Sequence, residues 1–276
     1  MRTLIAIGLA ALTAVAPTPP AQAAAEKKYW HTETVQVMTH PRQVGSGANK
    51  YWLVERDVME TWSTRDGRSW SAYRALGAKP KSAADVAAWK RDGSPKKWSY
   101  RTEGMLVELS LEPEKGRVTP ARGGPGFILG QTRLTFEELQ AAPTDPEGLK
   151  AWVQKLYSTP GEPPFDMSKS GPTIYENLMH RLPVPKGVRE AAYKALSSTP
   201  GITVADAGKG RKKLTYRVAK PGHKMRLDYV IDTTTWLVVS SDLDTVDNGR
   251  QLLAKTWTMD IESGWTDDEP AVPAAS

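Results

Sequence analysis

The sequence predicts an α+β protein in which an antiparallel sheet wraps against a few helices. Segments that alternate between apolar and polar residues lie near both ends of the chain, and segments with helical spacing lie in the middle. Helices that follow one another in sequence cannot serve as crossovers between neighbouring parallel strands. The order of strands, then helices, then strands therefore favours an α+β architecture.

The first alternating region predicts a hairpin and a third strand. Residues 29–38 and 51–62 are rich in β-branched and aromatic side chains, and a glycine-rich turn at 45–49 separates them. Residues 68–76 add a third strand. The second strand has an apolar and a polar face, as expected for a half-buried sheet. Its apolar face contains Trp52, Val54, Val58 and Trp62, and its polar face contains Glu55, Asp57 and Thr61.

The middle of the chain predicts three helices. Thr144 is an N-cap residue, Pro146 suits a first helical turn, and Glu147 lies three positions after the threonine, so a helix is expected to begin here. A Pro- and Gly-rich loop follows at 158–171. Apolar residues then recur at helical spacing over 174–182 and 188–196, which predicts the second and third helices.

The last third predicts a second group of antiparallel strands and a tail. Alternation over 214–218 and 225–231 indicates two strands, and Asp232 begins a hairpin turn into a strand at 236–240. Residues 252–261 supply a final strand. Residues 266–276 are acidic and rich in Pro and Ala, which predicts a disordered tail.

Three segments carry a resemblance to a known family. Residues 143–152 and 189–201 resemble conserved segments of a large, uncharacterised family of actinobacterial extracytoplasmic proteins. A third segment, followed by Trp98, also resembles a signature of this family; it reads Ala83-Ala84-Asp85-Val86-Ala87-Ala88-Trp89-Lys90-Arg91-Asp92-Gly93-Ser94-Pro95. The resemblance implies a single domain over residues 24–265 with a fold similar to the lipoprotein-carrier class. That fold is a curved antiparallel sheet, a half-open barrel, covered on its concave face by about three helices.

The resemblance implies a fold but no site, because the family has no established catalytic or binding residues. This chain departs from the family in two places. Many relatives keep a transmembrane helix where this chain has a cleavable signal. Relatives also often place Asp-Pro-x-Thr-Gly at the late hairpin, where this chain has Asp232-Thr233-Thr234-Thr235-Trp236.

Residues 1–23 have the pattern of a secretory signal peptide. Arg2 supplies a positive start, an apolar run follows at 4–15, and Ala21-Gln22-Ala23 matches a small-x-small cleavage site. We therefore expect a secreted, extracellular protein. The apolar run is too short to span a bilayer.

Composition excludes several kinds of chemistry. The chain contains no Cys, so it has no disulfide framework, no thiolate metal site and no thiol nucleophile. It also lacks the serine-hydrolase elbow, the metalloprotease helix motif and the glycine-rich nucleotide loops. Ser94 and Lys97 have the spacing of a penicillin-recognising pair, but Pro95 favours a loop there. We predict a protein that is not an enzyme, with no catalytic residue, no cofactor and no metal ligand.

Three carboxylates near the C-terminus form a weak calcium motif. Asp242, Asp244 and Asp247 lie within six positions, but the register is wrong for an EF-hand because the glycine and glutamate it requires are replaced. A solvated turn between strands is the favoured interpretation. Weak extracellular calcium binding stays open.

A basic stretch is the clearest candidate binding feature. On a chain of net charge +6 it creates a local positive field. Nucleic acid is excluded as a target for an exported chain, so anionic phospholipid headgroups or acidic wall polymers are the expected partners. A solvated outer face of the sheet is the alternative interpretation. The stretch contains Lys209, Arg211, Lys212, Lys213, Arg217, Lys220, Lys224 and Arg226, with no acidic residue between the first and the last.

Fold analogy and composition together lead to one functional hypothesis. We expect a secreted, non-enzymatic protein that binds a lipid or other apolar ligand at the cell envelope, because a curved sheet covered by helices can open a cleft for acyl chains. An envelope interaction or regulatory protein without a small ligand is the first alternative. A hydrolase of unrecognised type is the second.

Overall fold

The computed structural model describes residues 26–102, 104–122, 124–130, 132–158, 167–247 and 256–275. Within these residues the protein is α+β, as predicted, with a large antiparallel sheet that is not closed and five helices. The predicted signal segment, 1–23, lies outside the described residues. The strands are β1 Tyr29–Thr39, β2 Leu53–Ser63, β3 Ser69–Pro80, β4 Lys97–Thr102, β5 Met105–Ser110, β6 Arg117–Pro120, β7 Phe127–Leu129, β8 Thr132–Leu134, β9 Ile202–Gly208, β10 Arg211–Lys220, β11 His223–Asp232, β12 Leu237–Asp247 and β13 Thr256–Thr266. The helices are α1 Ala83–Arg91, α2 Phe136–Gln140, α3 Pro146–Leu156, α4 Met167–Leu178 and α5 Lys186–Ser197.

The large sheet consists of two meanders that meet at one pair of strands. Its order is β6-β3-β2-β1-β13-β12-β11-β10-β9, with antiparallel pairing throughout. The first meander contains β1, β2 and β3, and the second contains β9 to β13. They join where β1 pairs with β13, in a register that runs from Tyr29 opposite Thr266 to Thr39 opposite Thr256.

Each strand of this sheet alternates between two faces. We call the face that contacts the helices the inner face; Thr32, Thr61, Tyr229 and Ile261 lie on it. The opposite, outer face contains His31. In β2 the predicted alternation is confirmed, but the face toward the helices is the polar one and not the apolar one. Asp57 and Thr61 are on the inner face, and Val58 and Trp62 are on the outer face.

The outer apolar side chains are buried without help from the helices. Trp62 is 3% exposed and packs in a small cluster with Tyr29 and Ala72, against which Trp70 and Val118 also lie. The imidazole of His31 stacks on the Trp62 ring with 4.8 Å between ring centroids. Aromatic side chains on the adjacent strands thus bury Trp62 on the apolar face of β2.

The three predicted helices are present with shifted starts. Asp145, not Thr144, caps α3, because its carboxylate accepts a hydrogen bond from the Gly148 N–H at 2.7 Å. Helix α4 begins at Met167, inside the predicted loop, and includes Pro172. Helices α1 and α2 are additional to the three that were expected. No helix in the described part of the chain combines the length and apolar character needed to span a membrane.

The main core lies between α3, α4, α5 and the second meander. Leu149, Leu178 and Val188 from the three helices are fully buried against Leu214 and Ile231 of the sheet. A second core lies under the β4–β5 hairpin and α1, where Leu53 and Ala78 are buried together with three aromatic rings. These rings are Tyr51, Trp98 and Tyr100.

The C-terminal segments differ from prediction. Asp242 and Asp244 lie inside β12 and not in a turn, since β12 continues to Asp247. The final strand is Thr256–Thr266, and the first residues of the predicted strand, 252–255, lie outside the described residues. After β13 the acidic tail is irregular; Lys28 donates through its N–H to Asp267 and through Nζ to Glu269.

Candidate functional site

A cleft of about 590 Å³ lies between the inner face of the first meander and α4. Strands β1, β2, β3, β6 and β13 form one wall, and residues 173–181 at the end of α4 form the other. The helices fill the inner face of the second meander with apolar side chains but leave this part of the sheet uncovered. The volume lies within the range of small-molecule binding sites.

The lining of the cleft combines three kinds of side chain. Apolar contacts come from Met59, Met259 and Ile261. The charged or titratable lining groups are Glu60, Tyr73, Arg117, Glu176, His180 and Arg181. A row of hydroxyl groups lies between them. These hydroxyls belong to Thr32, Thr34, Thr61, Ser71, Thr119 and Thr173.

The sheet holds the chain just after α4 at two points. The carbonyl of His180 accepts hydrogen bonds from Thr32 Oγ1 at 3.0 Å and Trp30 Nε1 at 3.3 Å. The carbonyl of Met179 accepts one from the Val238 N–H at 3.1 Å. Carbonyls at a helix end lack partners within the helix, so these bonds satisfy them and fix the wall of the cleft.

Glu176 and His180 form a buried pair one helical turn apart. His180 Nδ1 lies 3.0 Å from the Glu176 carbonyl and 3.3 Å from Glu176 Oε1. Burial raises the pKa of Glu176 to about 7, although the Arg181 charge opposes the shift. Burial also lowers the pKa of His180 to about 4. The pair therefore places a neutral imidazole beside a carboxyl that titrates near neutral pH.

Two arginines line the cleft from opposite walls. Arg117 of β6 and Arg181 after α4 are both exposed. The guanidinium of Arg117 lies 5.5 Å from the centroid of the Tyr73 ring, which is a cation–π distance. Neither arginine makes an ion pair with any of the described residues.

A second buried carboxyl, that of Asp57, lies on the inner face of β2, which is the face that also contributes to the cleft. Asp57 is 5% exposed, and its Oδ1 has no hydrogen-bond partner among the described residues. Burial, with a smaller effect from Glu55, raises the pKa of Asp57 to about 6. Burial mainly, and then the charge of Asp57, raises the pKa of Tyr73 to about 12, so Tyr73 and Asp57 lie within electrostatic range of one another.

A smaller cavity of about 360 Å³ continues the cleft toward the β7–β8 hairpin. Thr61, Ser71, Asn177 and Arg181 line both cavities, so the two form one groove along α4. Phe127 and Ile128 of β7 add apolar surface at the far end. The groove thus extends beyond the polar centre of the cleft.

The basic stretch is divided by the alternation of β10 and β11. Lys212 lies on the inner face, next to Leu214 in the pattern, and Lys209 is in the turn between β9 and β10 with φ of 51°. The side chain of Lys220 lies outside the described residues. The remaining five cations share the outer face: Arg211, Lys213, Arg217, Lys224 and Arg226.

Acidic groups on the outer face neutralise part of this charge. Asp228 Oδ2 lies 2.8 Å from Lys213 Nζ and 3.5 Å from Arg226 Nε. Asp242 pairs directly with Asp228, and Asp244 with Arg226, across β11 and β12. The side chain of Asp247 lies outside the described residues. Among the residues that the structure describes, no group of three or more His, Cys, Asp or Glu could hold a metal ion.

Sequence reasoning expected a cleft on the sheet but assigned none of the residues that line it. Its polar groups come from four strands, from α4 and from the segment that follows α4. The i, i+4 spacing of Glu176 and His180 could have suggested a pair on one helix face. No family model matches this chain, and no curated protein matches it significantly.

Proposed function

We propose that this is a secreted, non-enzymatic protein that binds a lipid or other apolar ligand in the cleft between α4 and the first meander. The cleft itself carries the proposal, because it offers an apolar floor of Met59, Met259 and Ile261 within a volume suited to a small molecule. A half-open barrel of the lipoprotein-carrier type, with the cleft on its concave side, is part of the proposal. The signal-like pattern of residues 1–23 supports export.

The arrangement of hydroxyls supports binding over catalysis. Thr32 Oγ1 donates its hydrogen bond to the His180 carbonyl, so this hydroxyl is engaged in structure. Nδ1 of His180 faces backbone and carboxyl oxygens of Glu176 instead of a serine or threonine. A nucleophile needs a base within hydrogen-bond reach. If the purified protein hydrolyses esters or glycans, and Glu176→Gln abolishes that turnover, the hydrolase alternative replaces this proposal.

The binding proposal is tested by filling the cleft. Thr61 lines both cavities, so Thr61→Trp is expected to block them, while Thr258→Trp places the same ring on the exposed outer face of β13. We expect native mass spectrometry of protein from its native host to detect a bound lipid in the wild type and the control. Loss of that ligand only in Thr61→Trp supports the proposal. Its absence from the wild type, together with no response to added lipids, contradicts it.

An additional proposal concerns the outer face of β10 and β11. We propose that the five outer-face cations bring the protein to an anionic membrane surface or wall polymer, since each is worth about 1 kcal/mol near such a membrane. The Asp228 ion pairs reduce the contribution of Lys213 and Arg226. Replacing Arg217 and Lys224 with Gln is expected to weaken binding to anionic vesicles, and replacing Lys212, on the inner face, is expected to have little effect. Equal losses in the two variants would contradict this assignment.

A further inference from the structure

We propose that the ligand of the cleft is an amphiphile with a carboxylate or phosphate head group, held between Arg117 and Arg181. This inference rests on the proposed function and adds the chemical class of the ligand. The apolar chain lies over Met59, Met259 and Ile261, and the head group lies at the exposed edge where both guanidinium groups are accessible. Guanidinium groups bind carboxylates and phosphates through paired, charge-assisted hydrogen bonds.

The guanidinium groups of both arginines lack an ion-pair partner among the described residues. Elsewhere in the protein, Arg65 contacts Glu26, Arg68 contacts Asp66, and Arg189 donates to the carbonyls of Thr235 and Val184. The guanidinium groups of Arg117 and Arg181 have no ion pair or hydrogen bond within the described residues, although both line the same cavity, from β6 and from the end of α4. Two accessible and uncompensated guanidinium groups on one cavity form an anion site.

The carboxyl of Glu176, on which the Arg181 charge acts, does not fully cancel that charge. Glu176 Oε1 is directed toward His180 Nδ1, and burial keeps much of the carboxyl protonated at neutral pH. His180 is neutral, and Tyr229 of β11, which also senses Glu176, stays protonated. A protonated Glu176 removes a negative charge from the cleft and adds an O–H donor for an anionic head group.

The acids near Arg117 are placed differently. Asp57, Glu55 and Glu114 act on the Tyr73 hydroxyl, and Arg117 opposes them from above the ring. Glu55 is directed toward His40, with 3.3 Å between Oε2 and Nε2, and none of these three acids lines the cavity. Glu60, which does line the cavity, is directed toward His31, with 2.7 Å between Oε2 and Nε2. Hydroxyl donors such as Thr61, Ser71 and Thr119 line the cavity beside the arginines and can bind head-group oxygens.

The experiment compares probes that share one chain and differ in head group. Isothermal titration calorimetry measures binding of octyl phosphate, octanoate, 1-octanol and octyltrimethylammonium to the full chain, with inorganic phosphate and acetate as head groups without a chain. We expect the two anionic amphiphiles to bind at least tenfold more tightly than 1-octanol, and the cation to bind weakest. Arg117→Gln and Arg181→Gln are expected to weaken octyl phosphate binding on the order of tenfold each. Arg122→Gln, an exposed arginine that does not line the cleft, is the matched control.

Each outcome separates this inference from the function on which it rests. Binding of 1-octanol as tightly as octyl phosphate, or unchanged affinity in both cleft variants, overturns the anionic head group while a lipid-binding cleft stands. Inorganic phosphate that binds as tightly as octyl phosphate overturns the amphiphile, because the chain then contributes nothing. No binding of any chain-bearing probe, in a folded protein, overturns the proposed function itself. Unfolding midpoints of all variants, measured by circular dichroism, confirm that the compared proteins are folded.

Discussion

The inner faces of the two meanders differ in what covers them. The second meander presents Leu214, Tyr229 and Ile231 to the helices, and these side chains are at most 6% exposed. The first meander presents Thr32, Thr61 and hydroxyl-bearing neighbours to α4, and a cleft of about 590 Å³ stays open there. One continuous sheet thus provides a packed core at one end and an open cleft at the other. Whether the inner-face residues of the strands are apolar or polar determines which end of the sheet is packed against the helices.

The largest effect on the free energy of unfolding is expected from truncating a buried side chain in the packed half. Truncating a side chain in the cleft provides the comparison. Ile231→Ala removes a fully buried side chain from the packed half and is expected to lower the free energy of unfolding by about 2–5 kcal/mol. Met59 is 37% exposed in the cleft, so Met59→Ala is expected to cost less than about 1 kcal/mol. Urea denaturation of both variants gives the comparison. Equal losses would mean that the cleft is as tightly packed as the core.

The next effect concerns the pH dependence of the free energy of unfolding. The pKa of Glu176 is about 7 in the folded protein and 4.5 in a model peptide, so the folded state binds more protons between these values. The contribution of Glu176 to stability is therefore present at low pH and falls as pH rises from 4.5 to 7. Glu176→Gln should remove that fall, which is on the order of 3 kcal/mol at most.

Two neighbours act within parts of the same window. Asp57, with a pKa raised to about 6, changes stability in the same direction as Glu176. His180, with a pKa lowered to about 4, changes it in the opposite direction below pH 6.5. Subtracting the Glu176→Gln curve from the wild-type curve, both measured by urea denaturation from pH 5 to 8, isolates Glu176. A difference that does not vary with pH would contradict the assignment.

The smallest effect concerns the outer face of the first meander. Glu33 lies directly opposite Glu60 on β2 and Glu262 on β13, and burial together with these two charges raises its pKa. Like charges directly opposite one another destabilise a sheet. Glu33→Gln is expected to raise the free energy of unfolding by about 0.2–1 kcal/mol at pH 7. Glu108→Gln, on the exposed side of β5, should change little, and a destabilised Glu33→Gln would contradict the prediction.

The sequence predicts the alternation of the strands more reliably than it predicts what covers them. In β2 the two faces were assigned correctly, yet the aromatic face carrying Trp62 lies away from the helices. Periodicity reports which residues share a face, whereas cover depends on contacts between residues far apart in sequence. The residues that line the cleft escaped prediction for the same reason. Its arginines, Arg117 and Arg181, come from elements 64 positions apart and carry no local signature.

The basic stretch shows the same limit at closer range. Eight cations without an intervening acid read as one positive segment, but the strand pairing places Asp228 beside Lys213 and Arg226. Alternation also separates Lys212 from its neighbour Lys213. Charge along a strand is therefore informative only after the residues have been sorted by face and by the strand opposite.

The pairing of β1 with β13 has a consequence for the order in which the protein can assemble. Among the described strands, β1 is synthesised before β13, and the two can pair only after residues 256–266 have been synthesised, because Tyr29 pairs with Thr266. Until residues 256–266 emerge, β1 and β12 each present an unpaired edge, which is a template for association with other chains. A protein chain shortened before β13 would leave both edges permanently open. Such a fragment is expected to aggregate. In contrast, any full-length chain that crossed a membrane before folding would arrive with both β1 and β13 present, so that the two strands could pair at once.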